Sequence, residues 1–307
     1  MSNLESTRAI LFPGQGSQYQ GMADVWTENP ISDSVIKEAS EIIGYDIVTG
    51  SHNENLLSNT DFVQPALVAC EVAAYSLLKE VGITFGATAG HSLGEFSALV
   101  AADVISLREA LQIVNTRGQA MQYASKINPG TMSALIRVDS IDANKLCEDA
   151  REDDELLIAN FNMPTQFVIS GSIPAIKRAE SLATERKIRA IRLSVAGAFH
   201  SILMEPAVEP IKNILDKIEL NSPSLPISEN VSGNLVNDPN ELRSYLERHV
   251  VSPVKWESCI KALGSAGITT FIEAGPGKVL SGFTKRILPD SISINAKSPL
   301  SIAAIEL

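Results

Sequence analysis

Gly90-His91-Ser92-Leu93-Gly94 is the pentapeptide on which the fold of this chain turns. Residues 83–89 before it, Ile-Thr-Phe-Gly-Ala-Thr-Ala, suit a short strand, and residues 95–102 after it suit a helix. A G-x-S-x-G between strand and helix makes a nucleophile elbow, a turn so sharp that its flanking positions must be glycine. The serine hydroxyl then projects into a cleft at the N-terminus of the following helix. Amides there, chiefly that of Leu93, point where the oxyanion of a tetrahedral intermediate would form. The competing reading is a loop in which Ser92 merely caps the helix.

Working outward, Arg8–Phe12 reads as a strand that runs into the glycine-rich turn Pro13-Gly14-Gln15-Gly16-Ser17. Residues 65–81 read as a helix with proline in its first turn and apolar residues nearly all round, which predicts a buried helix. Residues 108–125 form a further helix. From Asn128-Pro129-Gly130 the pattern changes. Strand-like residues 132–138, a helix over 142–151, strands over 156–161 and 166–170, a helix over 173–186 and a strand over 188–195 give β-α-β-β-α-β. This is the ferredoxin-like order, in a unit of about 65–70 residues inserted into a larger α/β domain. A strand over 271–274 leads through Gly275-Pro276-Gly277 into a helix from Lys278. Short apolar strands alternating with helices predict a largely parallel sheet in the outer part.

Composition narrows the function classes. The chain has 307 residues, 45% of them apolar and 20% charged, with 36 acidic against 25 basic side chains and a net charge of −11. An acidic chain poor in aromatics is a poor nucleic-acid binder. No apolar run approaches the ~18–20 residues of a membrane helix, and the apolar stretch before Pro13 is too short for a signal-peptide core. Cys70, Cys147 and Cys259 are odd in number, far apart and not in metal-ligand spacing, which points to a reducing cytosol and to neither a disulfide scaffold nor a metal site.

A serine nucleophile needs a base. Of His52, His91, His200 and His249, His52 lies in a polar stretch and His91 inside the elbow. His200 follows a strand and the Gly197-Ala198 turn, amid Val195, Phe199, Ile202, Leu203 and Met204. Such a histidine is either a satisfied core residue or, paired with an elbow serine, the general base; His249 is the second candidate. Arg117 shares an apolar stripe with Ala110, Val114 and Met121, so its guanidinium faces inward. It must meet either an internal carboxylate or an anionic ligand. Gly14-x-Gly16 lacks the third glycine of a dinucleotide fingerprint, with Tyr19 in its place, and Gly275-Pro276-Gly277-Lys278 lacks the loop of a P-loop. Glycines on both sides of Gln15 would let its main chain approach a ligand closely.

Six motifs occur in order: Phe12-Pro13-Gly14-Gln15-Gly16-Ser17-Gln18, Gln64-Pro65-Ala66-Leu67, Gly90-His91-Ser92-Leu93-Gly94-Glu95, Arg117-Gly118-x-x-Met121-Gln122, Gly197-Ala198-Phe199-His200-Ser201 and Glu273-Ala274-Gly275-Pro276-Gly277. With these the chain resembles the malonyl-CoA:acyl-carrier-protein transacylases over almost its whole length, and is similar to the acyltransferase domains of polyketide synthases. The resemblance implies an α/β-hydrolase-like large domain over residues 1–127 and 197–307, with a ferredoxin-like small domain over 128–196 and the active site between them. It implies Ser92 as the acylated nucleophile, His200 as its base, the Gln15 and Leu93 amides as the oxyanion hole, Arg117 as the clamp on the malonyl carboxylate and Phe199 as a selector against α-branched acyl groups. The family has a glutamine that helps to orient the base; here His249 stands in its place, in Arg248-His249-Val250-Val251-Ser252-Pro253-Val254-Lys255-Trp256.

The implied activity is ping-pong transfer of malonyl groups from malonyl-CoA, a substrate, to acyl carrier protein, by a cytoplasmic monomer of fatty-acid synthesis that uses no cofactor and binds neither nucleic acid nor membrane. A trans-acting polyketide synthase acyltransferase and a serine hydrolase of carrier-bound thioesters would share the elbow and base. A non-catalytic carrier-binding module with a relic site would not become acylated. Because carrier proteins are acidic, docking requires a local basic patch. Candidates are Lys177, Arg178, Arg186, Lys187, Arg189 and Arg192 on the small domain, and Lys278, Lys285 and Arg286 on the last helix predicted.

Overall fold

The computed structural model describes residues 6–305. Ten strands form two sheets. In chain order they are β1 (Arg8–Phe12), β2 (Ala87–Gly90), β3 (Gly130–Ile136), β4 (Leu156–Met163), β5 (Gln166–Ser172), β6 (Arg189–Arg192), β7 (Ile227–Ser228), β8 (Leu235–Val236), β9 (Thr270–Ala274) and β10 (Ile292–Ala296). The larger sheet has the order β10-β9-β1-β2-β7-β8. It is parallel from β10 to β7, and β8 returns antiparallel on β7.

Strand β1 shows why this sheet is buried on both faces. Ile10 and Phe12 point into a core shared with the Thr60–Glu80 and Leu107–Ile127 helices. Ala9 and Leu11 point into a second core with Trp256, Ile260 and Leu280. A parallel sheet covered by helices on both sides needs such continuous apolar strands. The strand order reverses at β1, so a crevice opens beyond the carboxyl ends of β1 and β2, where ligands of open α/β sheets bind.

The smaller sheet is antiparallel, in the order β4-β5-β3-β6, the arrangement of a ferredoxin-like βαββαβ unit. The Ser140–Arg151 and Ile173–Glu185 helices cover one face and close a core around Leu135, Leu146, Phe167 and Ile176. From the opposite face Met132, Ala134 and Val168 join the main core. Strand β4 is also hydrogen-bonded to the segment before the Trp256–Ser265 helix: Phe161 N–H donates to the Val254 carbonyl (2.9 Å) and Val254 N–H to the Ala159 carbonyl (2.8 Å).

Most expected elements shift at their ends by one or two residues, and three differences have a physical reason. The stretch 83–89 pairs as a strand only from Ala87, because its neighbour β1 begins at Arg8 and the register sets Ala9 against Ala87; Ile83 and Phe85 are buried outside the ladder. The stretch 188–195 is laddered only over Arg189–Arg192, opposite Ser133 to Ile136. The buried helix begins at Thr60, so Pro65 sits in its second turn. By length and composition this helix is apolar enough to cross a membrane, contrary to the expectation that no stretch is, but 83% of its apolar window is buried inside the fold. Its apolar surface serves the core, packed against the Leu107–Ile127 helix.

Candidate active site

The register pairs Phe12 with Gly90 at the ends of β1 and β2, and His91 N–H extends the ladder to the Phe12 carbonyl (2.9 Å). The glycine-rich turn and the elbow therefore leave the sheet side by side. Ser92 takes φ of +51°, a left-handed conformation that is strained for a residue with a Cβ. A Cβ at Gly90 would strike the Gly94 main chain, and one at Gly94 would strike the Phe12 and Pro13 carbonyls. Both glycines are thus required by close backbone approach.

His200 meets this serine from 108 residues away: its Nε2 lies 2.7 Å from Ser92 Oγ. His200 Nδ1 faces the carbonyls of His249 (3.0 Å) and Ser252 (2.9 Å). Two acceptors on Nδ1 require it to carry the proton, which leaves Nε2 as the acceptor for the Ser92 hydroxyl. His200, like Ser92, has a positive φ, +59°. Burial, then the nearby His249 and the charge of Arg117, hold its imidazole well below the ordinary histidine range.

The main-chain carbonyl of His249 contacts His200, and its side chain turns elsewhere. The ring is buried edge-on to His200 and Phe96. Its Nε2 lies 3.4 Å from Glu95 Oε2, without hydrogen-bond alignment. Burial and the charge of Arg117 keep His249 neutral, well below the usual imidazole range. Burial pushes Glu95 up to about 8, against the opposing pull of the Asn230 N–H and of Arg117. Near neutral pH the two therefore face each other uncharged and do not form an ion pair.

Arg117 lies on the inner stripe that its spacing predicts and is 2% exposed. Its Nη2 donates to Ser92 Oγ (3.2 Å) and its guanidinium lies over the Phe96 ring, 5.7 Å from the centroid. Among the described residues no carboxylate lies within 4.0 Å of it, and its Nε has no hydrogen-bond partner. Burial lowers its affinity for the proton to about 10, so it remains a cation. Of the two readings of the sequence, the internal ion pair is not formed.

A cavity of about 240 Å³ joins Gln15, Ser92, Arg117, Phe199 and His200. Its outer wall comes from the smaller sheet, including Asn160, Asn162 and Gln166, and from Val279 and Phe283 on the Val279–Ile287 helix. Among the described residues neither the Gln15 nor the Leu93 amide N–H has a hydrogen-bond partner. His91 plays no part in the Ser92–His200 pair: its Nε2 bonds Asn162 Oδ1 on β4 (2.9 Å) and its ring packs on Trp256.

Sequence reasoning missed Asn230. Its Oδ1 accepts from Ser92 N–H (2.6 Å), its Nδ2 donates to the Gly90 carbonyl (2.7 Å) and its own N–H donates to Glu95 Oε2 (3.2 Å). It lies 138 residues from Ser92 in a loop with no motif spacing, so no local pattern marks it. Ser252 was missed for a similar reason, because a carbonyl carries no side-chain signature. Among the described residues no group of three histidine, cysteine or carboxylate side chains is arranged around a metal position.

A family model described as the acyl transferase domain matches residues 10–297. The chain is 39% identical over 306 residues to the malonyl CoA-acyl carrier protein transacylase of Haemophilus influenzae, covering 97% of each chain. Among solved structures, an acyl carrier protein S-malonyltransferase from Vibrio cholerae superposes with a TM-score of 0.93 at 38% identity, over 98% of this chain and 100% of that one. A malonyl-transacylase in complex with a type II polyketide synthase acyl-carrier protein also gives a TM-score of 0.93, at 34% identity over 97% and 98% of the two chains.

The depressed proton affinity of His200 can be tested directly. Its imidazole nitrogen resonances are expected to report a neutral ring from pH 8 down through pH 6.5. In Arg117→Gln, which removes one of the charges that hold it down, its protonation should move to higher pH. A His200 that is half-protonated at pH 6.5 in the unaltered protein would contradict this electrostatic account.

Proposed function

The chain belongs to the acyl transferase domain family, among the malonyl CoA-acyl carrier protein transacylases, and on that premise we propose that it moves malonyl groups from malonyl-CoA to the phosphopantetheine thiol of an acyl carrier protein, for fatty-acid synthesis, through a malonyl ester on Ser92. The observation that carries the acyl group's identity is Arg117, a buried cation with no carboxylate within ion-pair distance among the described residues, its one coupled carboxyl, Glu95, being pushed towards its neutral form. Leaving such a charge unpaired costs several kcal/mol, and a malonyl carboxylate beside the nucleophile supplies the partner in bidentate geometry. An acetyl group would leave the charge as it is.

The steps follow from the geometry. His200 Nε2 takes the hydroxyl proton as Ser92 Oγ attacks the thioester carbonyl, and the amides of Gln15 and Leu93 receive the oxyanion. The carbon–sulfur bond breaks, and the proton passes from His200 to the departing thiolate of coenzyme A. In the second half His200 takes the proton of the carrier's thiol. The sulfur attacks the ester, and Ser92 leaves and regains its proton. The exchange is an acyl transfer between two thiols with no net oxidation, so this chemistry calls for no cofactor. Phe199, on the cavity wall beside His200, leaves little room for an α-methyl branch; excluding one methyl is worth about 1–3 kcal/mol. In this reading the main-chain carbonyls of His249 and Ser252 orient the base, so the imidazole at 249 replaces the family's glutamine without cost to that contact. The large domain is taken as 1–127 with 197–307 and the small one as 128–196, supported by the antiparallel sheet lying wholly within Gly130 to Arg192. We infer cytoplasmic action, which the three buried, unbridged cysteines support.

Carrier docking is best served by the last of the candidate patches. On the small domain Arg178 is paired with Asp154, Arg186 with Asp149 and Arg192 with Glu180. Lys278, Lys285 and Arg286 have no such partner among the described residues, and neither have Lys177, Lys187 and Arg189; what favours the last patch is that its helix supplies Val279 and Phe283 to the cavity mouth.

Intact-protein mass spectrometry after brief incubation with malonyl-CoA is expected to show a malonyl adduct that passes to added carrier protein and is absent in Ser92→Ala. An adduct that persists in Ser92→Ala would refute the nucleophile, and one that decays equally fast without carrier would favour a hydrolase. Arg117→Ala should lower malonyl acylation by at least about 100-fold, the cost of a lost charge-assisted pair, while acetyl acylation changes far less. An unchanged malonyl-to-acetyl ratio would make Arg117 structural. Charge reversal at Lys285 and Arg286 should slow transfer to the carrier and leave acylation by malonyl-CoA intact. Equal transfer rates would move the docking face elsewhere.

A further inference from the structure

We propose that Asn230 is the positioning residue of the nucleophile, a clamp that holds Ser92 in its left-handed conformation and aligns it with His200; this rests on the reading of Ser92 as the acylated residue. The side chain of Asn230 closes the elbow from outside the turn. Its carboxamide bridges the Gly90 carbonyl and the Ser92 N–H, two main-chain groups on either side of His91, at 2.7 and 2.6 Å. One planar amide that satisfies both groups fixes the rotation of the two peptide units between them, and so sets the direction of the Ser92 Cα–Cβ bond. Such a fixture suits a residue with φ of +51°, where the intrinsic preference of the chain is to relax towards negative φ.

Two further contacts separate this role from the simple satisfaction of buried backbone groups. The Asn230 carbonyl accepts from Lys255 N–H (2.8 Å), and its N–H donates to Glu95 on the helix that follows the elbow. Asn230 thereby joins the elbow to the two ends of the segment that presents the His249 and Ser252 carbonyls to His200. The 2.7 Å contact between Ser92 and His200 thus depends on one segment that holds the serine at residue 230 and the histidine at residues 249 and 252. Engaging the Ser92 N–H also keeps that amide turned to Asn230, and the unpartnered amide that follows it, Leu93, is the one left for a substrate oxygen.

The orientation of the carboxamide gives a test with a chemical signature. In Asn230→Asp a protonated carboxyl can still donate to the Gly90 carbonyl while it accepts from Ser92. Once ionised it sets a carboxylate oxygen against that carbonyl. The introduced group would face Glu95 from the elbow helix, with His249 and Arg117 beyond it, and Glu229 beside it in the chain. Burial raises its proton affinity, against the opposing pull of the Arg117 charge. The proton affinity of His200 is held well below the ordinary histidine range, which leaves room on the acid side to read the profile.

The experiment is rapid-quench measurement of malonyl-Ser92 formation against pH in the unaltered protein, Asn230→Ala and Asn230→Asp, each checked for its thermal transition. Asn230→Ala is expected to lose roughly 10–100-fold in acylation rate with KM for malonyl-CoA within about 3-fold, as for a reacting group displaced by a fraction of an ångström. Asn230→Asp should approach the unaltered rate at its acid end and fall about tenfold per pH unit above the ionisation of the new carboxyl. Acylation by Asn230→Ala at the unaltered rate would overturn the proposal, as would an Asn230→Asp profile parallel to that of the unaltered protein. If Asn230→Ala fails to fold, the Asn230→Asp profile decides alone. Absence of the adduct in the unaltered protein would instead overturn the reading of Ser92 on which the proposal rests.

Discussion

The close approach of Gly94 to the carbonyls of Phe12 and Pro13 is the constraint from which the site is built. It brings the first turn of the Gly94–Ala101 helix down onto the end of β1, and only a residue without a Cβ permits it. With Phe12 and Gly90 in register across the sheet, the elbow and the Gln15 turn emerge at the same height. Two unengaged amides from different loops therefore border the same space. The helix that begins there directs the positive end of its dipole towards the same space.

Around this geometry the protein buries an unusual set of ionisable groups. Arg117 is the cation; His200 and His249 are held neutral by burial and by that cation, and Glu95 is pushed towards its neutral form. The local balance is a single positive charge facing a largely apolar cavity. A site of this kind discriminates by charge more strongly than by size, because a carboxylate recovers the desolvation cost of the guanidinium and a methyl group recovers nothing. Burial first, and then the charges of His249 and Arg117, lower the proton affinity of His200.

The stretch from Asn230 to Trp256 acts as the brace behind the pair. It meets Ser92 through a side chain, His200 through two carbonyls, β4 through Val254 and His91 through the ring of Trp256. Because β4 lines the cavity, the smaller sheet and the Ser92–His200 pair share this support. Both Ser92 and His200 sit at positive φ; strain of this order, about 1–2 kcal/mol per residue, persists only where surrounding bonds over-determine the conformation.

Local patterns determined much of this protein. The glycines of the elbow, the inward stripe of Arg117, the βαββαβ order and the turn around Gln15 were all legible, because each is dictated by neighbours within a few residues: steric demand at a turn, the 3.6-residue helical period, or alternation along a strand. The pairing of Ser92 with a particular histidine was not local. His200 and His249 were both candidates in the residues themselves; the resemblance favoured His200, and the fold sets its ring 2.7 Å from the hydroxyl while it turns the other towards Glu95. Strand limits such as Ala87 and Arg192 were decided by where the neighbouring strand begins and ends, and the two-residue strands β7 and β8 are too short to carry a period. Asn230 and the Ser252 carbonyl lay beyond any sequence reading, and at position 249 the resemblance marked the residue that orients the base without deciding between its carbonyl and its side chain. Hydrogen bonds between groups 49 to 140 residues apart leave no trace in local order, so only the tertiary structure assigns them.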